Sequence, residues 1–273
     1  MYDAIKTISI RKSCRNFSIE PVAEKTMDKI QDLLKQAYIG PLGNEISFRI
    51  IDFSQNSDEV NGKLGTYGII KGARIFIGGA ITESTAAYID YGYCFEKIIL
   101  ELTEMKLGTC WMAVASKKEI VRATFESKYG ISKNEMVPAV SPFGYAKEKD
   151  GFVQAFVRIA MRTNSRKAWG ELFFDGFGGN PLDKSTIGNY VEALNALRAA
   201  PSAINKQPWR VYKEKESQNF HFYRKGGHPI DMGIAMLHFD LAARQKGLSG
   251  EWGKTDNPHP IDGMEYTLTW LGK

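Results

Sequence analysis

The segment Pro201-Ser202-Ala203-Ile204-Asn205-Lys206-Gln207-Pro208-Trp209 joins a predicted helix to a predicted strand. Its small residues would let backbone amides approach a flat ligand, and the Asn205 side chain offers both a hydrogen-bond donor and an acceptor. An ordinary helix-to-strand connection, with Trp209 as a core anchor, would explain the same residues. We call this segment the Pro201 loop, and other parts of the chain must decide between the two interpretations.

A basic segment lies near the N-terminus. Arg11-Lys12-Ser13-Cys14-Arg15 places three cations and a hydroxyl within five residues, and Phe17 follows as a possible anchor in a core. A guanidinium group can donate two parallel hydrogen bonds to two oxygens of a phosphate, and a serine hydroxyl adds a further hydrogen bond. We call Arg11–Arg15 the basic arm and interpret it as a candidate phosphate site, although a solvated basic turn has the same composition.

A second basic cluster contains Arg162, Arg166 and Lys167. A charged surface is its ordinary explanation, and a further part of a phosphate site is the alternative. Elsewhere, Thr109-Cys110-Trp111-Met112-Ala113 could present backbone N–H groups to an acceptor atom. Cys110 has no basic neighbour close in sequence, so a nucleophilic role is not indicated.

Two long segments of the chain resemble one another. Asp90 to Trp111 aligns without a gap with Asp231 to Trp252, and each opens with Asp-x-Gly, continues as an apolar-periodic helix and ends in a loop with Leu and Trp. Chance similarity between two amphipathic helices is the alternative to duplication. The agreement in the order of features favours duplication.

A second pair of segments supports the duplication. A helix predicted to start at Lys25-Thr26 ends at Gly40-Pro41, and one predicted to start at Lys184-Ser185 ends at Ala200-Pro201, with Thr26 and Ser185 as N-caps. The Gly- and Pro-rich stretch 176–181 suits a linker. We therefore predict two half-copies, 1–175 and 176–273.

Composition excludes several functional classes. The 273 residues carry a net charge of only +5 without a block of basic residues, so a nucleic-acid face is not indicated. The sequence shows neither a signal peptide nor an apolar run that would span a bilayer. Three cysteines in no metal-like spacing fit reduced thiols in a cytoplasm, and four histidines without clusters predict no metal site.

The strand candidates alternate irregularly with helices, which predicts a mixed α+β fold rather than a regular βαβ alternation. No GxGxxG or Walker-type loop follows a strand, so a Rossmann or P-loop fold is disfavoured. The predicted strands are Phe48–Phe53, Arg74–Gly78, Met136–Phe143, Trp209–Tyr212, Phe220–Tyr223 and Tyr266–Trp270.

These motifs together resemble the nitroreductase family of FMN enzymes. The landmarks are Arg-x-Ser-x-Arg, Leu-Gly-Thr-Cys-Trp, Gly144-Tyr145 followed by Arg-Lys, and Pro-Ser-x-x-Asn-x-Gln-Pro-Trp. Ordinary members have all of them in one subunit and dimerise. This chain is similar to the fused Thermotoga type, in which one polypeptide imitates the dimer. The resemblance implies a nitroreductase-like α+β fold, with two tandem half-copies forming an intramolecular pseudo-dimer with mixed or antiparallel sheets flanked by helices.

The resemblance also implies site residues, and it assigns them to FMN without a catalytic side chain. The basic arm and the basic pair Arg166-Lys167 would bind the phosphate of FMN. The Pro201 loop and the segment Trp111–Ala113, which we call the Trp111 segment, would contact its ring. The second site that the repeat would create lacks Arg and Ser in its own arm at 173–177. Its loop at 41–48 has Leu42 rather than Ser after the Pro and has no Gln-Pro pair, so we predict one flavin per chain. The implied FMN-binding residues are Arg11, Lys12, Ser13, Arg15, Trp111, Met112, Ala113, Arg166, Lys167, Pro201, Ser202, Ala203 and Asn205.

The implied function is a cytoplasmic FMN-dependent oxidoreductase. NADH or NADPH would be the reductant, and a nitroaromatic, quinone or similar small molecule the acceptor, in a ping-pong cycle. The alternatives are a related flavin enzyme with another substrate and a flavin-binding protein without turnover. The expected state is a monomeric pseudo-dimer or a weak homo-oligomer, with neither a nucleic acid nor a membrane as partner.

Overall fold

The structure is a computed structural model that describes residues 3–53, 70–114, 127, 129–147 and 165–273. Its helices are α1 (Ala4–Ile10), α2 (Glu24–Leu34), α3 (Thr85–Glu104), α4 (Trp169–Leu172), α5 (Tyr190–Ala199) and α6 (Pro229–Gln245), with 3-10 turns at Lys184–Thr186 and Ala203–Asn205. Its strands are β1 (Tyr38–Ile39), β2 (Glu45–Ile46), β3 (Phe48–Asp52), β4 (Ile75–Gly79), β5 (Ile81–Thr82), β6 (Gly108–Thr109), β7 (Met112–Ala113), β8 (Glu135–Met136), β9 (Ala139–Gly144), β10 (Phe173–Asp175), β11 (Asn180–Pro181), β12 (Trp209–Lys213), β13 (Phe220–Arg224), β14 (Gly250–Gly253) and β15 (Glu265–Gly272).

The chain divides into two compact units. We call Ile10–Ala160 the arm unit, and Met1–Ser9 together with Met161–Lys273 the loop unit. These bounds differ from the predicted half-copies, because β10 pairs in parallel with β12 and therefore belongs to the sheet of the loop unit. The half-copies 1–175 and 176–273 remain a prediction about the repeat.

The arm unit is built around an antiparallel sheet and the long helix α3. The strand order is β3-β4-β9-β6, and β7 also pairs with β9. Ser84 caps α3 by accepting a hydrogen bond from the backbone N–H of Ala87. Phe95, Ile98 and Leu102 on this helix are buried, as their spacing predicts.

The loop unit contains a six-stranded sheet in the order β11-β10-β12-β13-β15-β14. The pair β10–β12 is parallel and the remaining pairs are antiparallel. Helices α5 and α6 pack on each other. Helix α6 begins at Pro229, and the side chain of the preceding His228 caps it by accepting a hydrogen bond from the N–H of Ile230. Trp209 and Trp270 are fully buried in this unit.

Helix α1 belongs to the loop unit except for its last residue, Ile10. Its backbone N–H at Ile5 donates to Oε1 of Gln245 over 3.0 Å, and Nε2 of Gln245 donates to Oδ1 of Asp3 over 2.8 Å. Ala4 and Ile8 supply its buried face. The N-terminal helix is therefore held by the C-terminal end of α6.

Most predicted strands agree with the structure to within two residues at each end, and one does not. The predicted strand Met136–Phe143 is split into β8, which pairs with β5, and β9, which pairs with β4. Pro138 lies at the break, where it has no N–H to donate and its carbonyl accepts from the N–H of Val114. The chain therefore changes its pairing partner at this proline.

The two predicted N-caps are wrong. Helix α2 begins at Glu24 after Ala23, so Thr26 lies inside its first turn. Ser185 lies in the 3-10 turn Lys184–Thr186, where its backbone N–H donates to the side chain of Asp183. Helix α5 starts only at Tyr190, two residues after a glycine with a positive φ of 51°.

The predicted linker 176–181 also has a different structure. Residues 176–179 form the turn of a hairpin in which β10 pairs with β11. Gly176 and Gly179 adopt φ values of 60° and 78°, which glycine adopts without strain. The Gly-rich composition therefore marks a tight turn within the loop unit.

Candidate functional site

The basic arm is an extended segment fixed by its backbone inside the arm unit. The N–H of Cys14 donates to the carbonyl of Thr109 over 2.7 Å, and the carbonyl of Arg15 accepts from the N–H of Lys71 over 2.8 Å. Phe17 is 3% exposed and belongs to the apolar core of this unit. The predicted anchor is thus confirmed, and the arm is held on both sides rather than forming a solvated turn.

The side chain of Arg11 is largely withdrawn from solvent. It is 7% exposed, and Nε lies 3.7 Å from Oε1 of the fully buried Glu96 on α3. At this separation the two groups form an ion pair rather than a hydrogen bond. Nε and Nη1 of Arg11 are buried and make no hydrogen bond within the described ranges. Such donors fit a phosphate group, whose oxygens would accept from both.

Glu96 also holds Trp111. The indole Nε1 donates to Oε2 of Glu96 over 2.6 Å, and the ring of Trp111 packs edge-on against Phe95. Sequence reasoning missed Glu96, although one signal was present. A glutamate that shares the helical spacing of buried apolar residues such as Ile89 and Ile99 is expected to be buried and paired.

The other predicted residues of the arm unit differ in exposure. Lys12 is exposed, whereas Ser13 and Arg15 are half-buried. Met112 and Ala113 form β7, which pairs with Val140 and Ala139 of β9. The pKa of the Cys110 thiol is raised by burial, against the opposing effect of Arg15 and Arg11. Such a shift disfavours the thiolate, which is the form in which cysteine acts as a nucleophile.

The loop unit brings together the other predicted residues. Nη1 of Arg166 donates to Oδ1 of Asn205 over 3.3 Å, and Nη2 donates to the carbonyl of Ala199 over 3.0 Å. The backbone N–H of Lys167 donates to Oε1 of Gln207 over 2.8 Å. Residues 166–167 are therefore fixed against the Pro201 loop. Arg162, the third cation of that cluster, lies outside the described residues.

The Pro201 loop has an unusual backbone. Ile204, Asn205 and Gln207 adopt φ values of 46°, 55° and 47°, a region that non-glycine residues rarely occupy. The N–H of Gln207 donates to Oγ of Ser202 over 2.9 Å, and Nδ2 of Asn205 donates to the carbonyl of Ser165 over 2.9 Å. These contacts hold the loop in a conformation that costs backbone energy, as is common at functional sites.

The repeated Asp-x-Gly motifs act as clamps on the repeated loops. Asp90 accepts hydrogen bonds from the N–H of Leu42 over 2.8 Å and from the N–H and Nδ2 of Asn44 over 2.9 and 2.7 Å. Asp231 accepts from the N–H of Ala203 over 3.0 Å. Sequence reasoning used both aspartates only as landmarks of the repeat, and the structure gives them this shared role.

The two clamps differ in how well they are satisfied. Both oxygens of Asp90 accept hydrogen bonds, whereas Oδ2 of Asp231 is buried and has no hydrogen-bond partner in the described part of the chain. Burial raises the pKa of Asp231 to about 6, although the Ala203 and His228 backbones and the cations Lys206 and Arg224 oppose the rise. The carboxyl group of Asp231 therefore exchanges its proton in the weakly acidic range.

We expect Asp231 to make the stability of the protein depend on pH. Its folded pKa of about 6 exceeds the ordinary value of 3.8, so between these pH values the folded protein binds a proton that the unfolded chain has released. The contribution of Asp231 is fully present below pH 4 and is lost as the pH rises through 6, by about 3 kcal/mol. Urea unfolding of the wild type and Asp231→Asn at several pH values measures it. Parallel pH curves would contradict the assignment.

No helix in the described ranges has the length and apolar character needed to cross a membrane. Among the same residues, no group of three or more His, Cys, Asp or Glu side chains could bind a metal ion.

Comparisons with known proteins agree with the motifs. The chain is similar to a Thermotoga maritima crystal structure described as a putative nitroreductase, with 19% identity, a TM-score of 0.64, and coverage of 99% of this chain and 94% of that one. The predicted nitroreductase-like α+β fold is thus confirmed.

Two further solved structures are similar over 55% and 54% of this chain. One is a putative NADH dehydrogenase/NAD(P)H nitroreductase from Bacteroides thetaiotaomicron, with 23% identity, a TM-score of 0.44 and 90% of its own length covered. The other is an FMN-dependent nitroreductase from Clostridium difficile, with 18% identity, a TM-score of 0.42 and 89% covered.

No curated protein sequence matches the chain. A family model does, over residues 3–243, and its description reads "Putative TM nitroreductase". This match spans most of the chain and includes both the basic arm and the Pro201 loop. The chain therefore belongs to the Putative TM nitroreductase family.

Proposed function

We propose that this protein is an FMN-dependent NAD(P)H oxidoreductase that reduces a nitroaromatic, a quinone or a similar small molecule. The observation that carries the proposal is the guanidinium of Arg11, whose buried Nε and Nη1 make no hydrogen bond within the described ranges. Unsatisfied buried donors are costly, so such a group fits a phosphate that accepts from both. Family membership supports flavin as the carrier of that phosphate.

The residues that would hold FMN are those that the family pattern assigns to it. Arg11, Lys12, Ser13 and Arg15 would bind the phosphate, and the segment Trp111–Ala113 would meet the ring. The family pattern assigns Arg166, Lys167 and the Pro201 loop to the same flavin. That joint assignment rests on the sequence motifs.

The chemistry that FMN would supply is acceptance of a hydride at N5 from NADH or NADPH and its transfer to the acceptor in a ping-pong cycle. The protein's part is binding and electrostatics. Cations of the basic arm would neutralise the phosphate, and polar groups of the Pro201 loop would fix the orientation of the ring. The proposal needs no side chain as acid or base.

The first experiment is the absorbance spectrum of the purified protein with its flavin stoichiometry, followed by steady-state oxidation of NADH and NADPH with a nitroaromatic or quinone acceptor. We expect one FMN per chain and acceptor-dependent turnover. A flavin-containing protein that oxidises neither nucleotide would be a flavin-binding protein without turnover. A protein that binds no flavin, even when FMN is added, would contradict the proposal.

The proposed single site predicts different effects at the two repeated asparagines. Asn205→Ala removes side-chain contacts to Ser165 and Arg166 from the Pro201 loop, and we expect FMN to dissociate about tenfold more readily. Asn44 instead binds Asp90, so Asn44→Ala should leave the affinity of the folded protein unchanged. Fluorescence titration with FMN measures both, and equal losses would contradict one site per chain.

A further inference from the structure

Glu96 is a buried carboxylate that the proposed function does not use. Its side chain is fully buried on α3, and removing a carboxylate from water is costly unless cationic or hydrogen-bonding partners compensate. The indole of Trp111 supplies a hydrogen bond of 2.6 Å, and Arg11 supplies the positive charge. Glu96 therefore joins the basic arm to the Trp111 segment within the arm unit.

The contact between Arg11 and Glu96 neutralises charge but leaves donors unused. Nε of Arg11 and Oε1 of Glu96 are 3.7 Å apart, so the two charges attract each other but do not form a hydrogen bond. Nε and Nη1 of Arg11 are accordingly buried without a hydrogen-bond acceptor among the residues that the structure describes. An anion with several oxygens could satisfy these donors, but it would then lie near a second negative group.

A similar triad in the loop unit has no buried donor without a hydrogen bond among the residues that the structure describes. Asp240 on α6 accepts from Nε of Arg244 over 2.5 Å and from the indole of Trp252 over 3.3 Å. Arg244 lies four residues further along the same helix, and its side chain is 54% exposed. Both units therefore contain a helix carboxylate that binds an indole and a guanidinium. The guanidinium belongs to the candidate phosphate site in the arm unit and to an exposed helix residue in the loop unit.

We propose that Glu96 sets the anion affinity of the basic arm. It holds the buried guanidinium of Arg11 as its counter-ion, and its negative charge opposes the binding of a phosphate monoester dianion by Arg11, Lys12 and Arg15. Like charges in a poorly solvated site repel over several ångströms, so removing one raises the affinity for the other. The inference rests on the proposed function for its ligand, the phosphate of FMN.

The test compares two isosteric substitutions. Glu96→Gln removes the charge and keeps an acceptor for Trp111, and Asp240→Asn does the same in the loop unit. Titrations of the flavin-free protein with FMN and with riboflavin separate the phosphate contribution from that of the ring. We expect Glu96→Gln to bind FMN about tenfold more tightly, with riboflavin affinity unchanged, and Asp240→Asn to alter neither. An unchanged or smaller FMN-to-riboflavin preference in Glu96→Gln would overturn the proposal.

A second comparison covers the case in which Glu96→Gln folds poorly. Arg11→Met leaves Glu96 with its charge and without Arg11, whereas the double variant Arg11→Met/Glu96→Gln replaces the buried pair with two neutral groups, which folded proteins often tolerate. We expect the double variant to bind FMN more tightly than Arg11→Met. Equal or weaker binding would count against the proposal.

Inorganic phosphate separates this inference from the proposed function. The midpoint of thermal unfolding, measured with increasing phosphate, reports the anion site without any flavin. A larger stabilisation of Glu96→Gln than of the wild type supports the role of Glu96 even if neither protein binds FMN. If the wild type binds FMN and the two proteins respond equally to phosphate, the inference fails and the proposed function stands.

Discussion

Arg11→Ala should weaken FMN binding by roughly 1.5–3 kcal/mol, the scale of a hydrogen bond to a charged group. The substitution removes the two buried donors that make no hydrogen bond within the described ranges. It also leaves the carboxylate of Glu96 without this cation, so the free energy of unfolding should fall by about 3 kcal/mol. Calorimetric or fluorescence titration and urea unfolding measure the two effects.

Arg244→Ala is the matched control for Arg11→Ala. Arg244 also pairs with a buried helix carboxylate, but its side chain is 54% exposed, so we expect little change in stability and none in FMN affinity. Arg11→Ala combined with Arg15→Ala should lose still more phosphate binding. Wild-type FMN affinity in that double variant would remove the phosphate assignment altogether.

Asp90→Ala should lower the free energy of unfolding by about 3–5 kcal/mol, because it removes the acceptor of three hydrogen bonds and leaves backbone N–H groups of the 41–44 loop unsatisfied. Asp231→Ala removes the hydrogen bond from Ala203 and, like Asp90→Ala, a carboxylate whose ionisation burial disfavours. Its cost at pH 7 should be only about 1–2 kcal/mol. Urea unfolding of both variants in the same buffer checks the difference.

The comparison to make is which variant, Asp90→Ala or Asp231→Ala, loses more free energy of unfolding. If Asp231→Ala proved as costly as Asp90→Ala, the number of hydrogen bonds that each carboxylate accepts would not explain the stability of the two loops. Gly40 supplies an independent check on the first clamp, since an added Cβ would come within 2.3 Å of the Asp90 side chain. Gly40→Ala should therefore destabilise the same loop.

Much of the fold could be predicted because several elements carry local signals. The strands β12 and β13 follow from aromatic and β-branched residues between turn signals, and they agree with the structure to within one residue. The split at Pro138 could not be predicted, because it depends on which distant strand each half of the segment pairs with. The start of α5 differs from the prediction because the 3-10 turn before it also follows a capping side chain, that of Asp183, and so carries the signal of a helix start.

The sequence indicates some residues of the candidate site and not others, because some lie in short motifs and others are defined only by contacts with distant residues. Arg11 and the Pro201 loop belong to compact motifs, so a single short window indicates them. Glu96 contacts Arg11 from 85 positions further along the chain, and only its burial distinguishes it from a surface glutamate. The clamp role of Asp231 likewise depends on a contact with Ala203 across 28 positions. Such pairings come from tertiary structure and leave little trace in local sequence.

The contact between α1 and Gln245 has a consequence for the order of events during synthesis. The arm unit can complete its sheet before the last third of the chain exists, whereas α1 must wait until Gln245 has left the ribosome before it can pack. We therefore expect α1 to be open to protease attack in nascent chains that stop near residue 220 and to become protected in the full-length protein. Helix α1 would thus pack after the arm unit, although it precedes that unit in the chain.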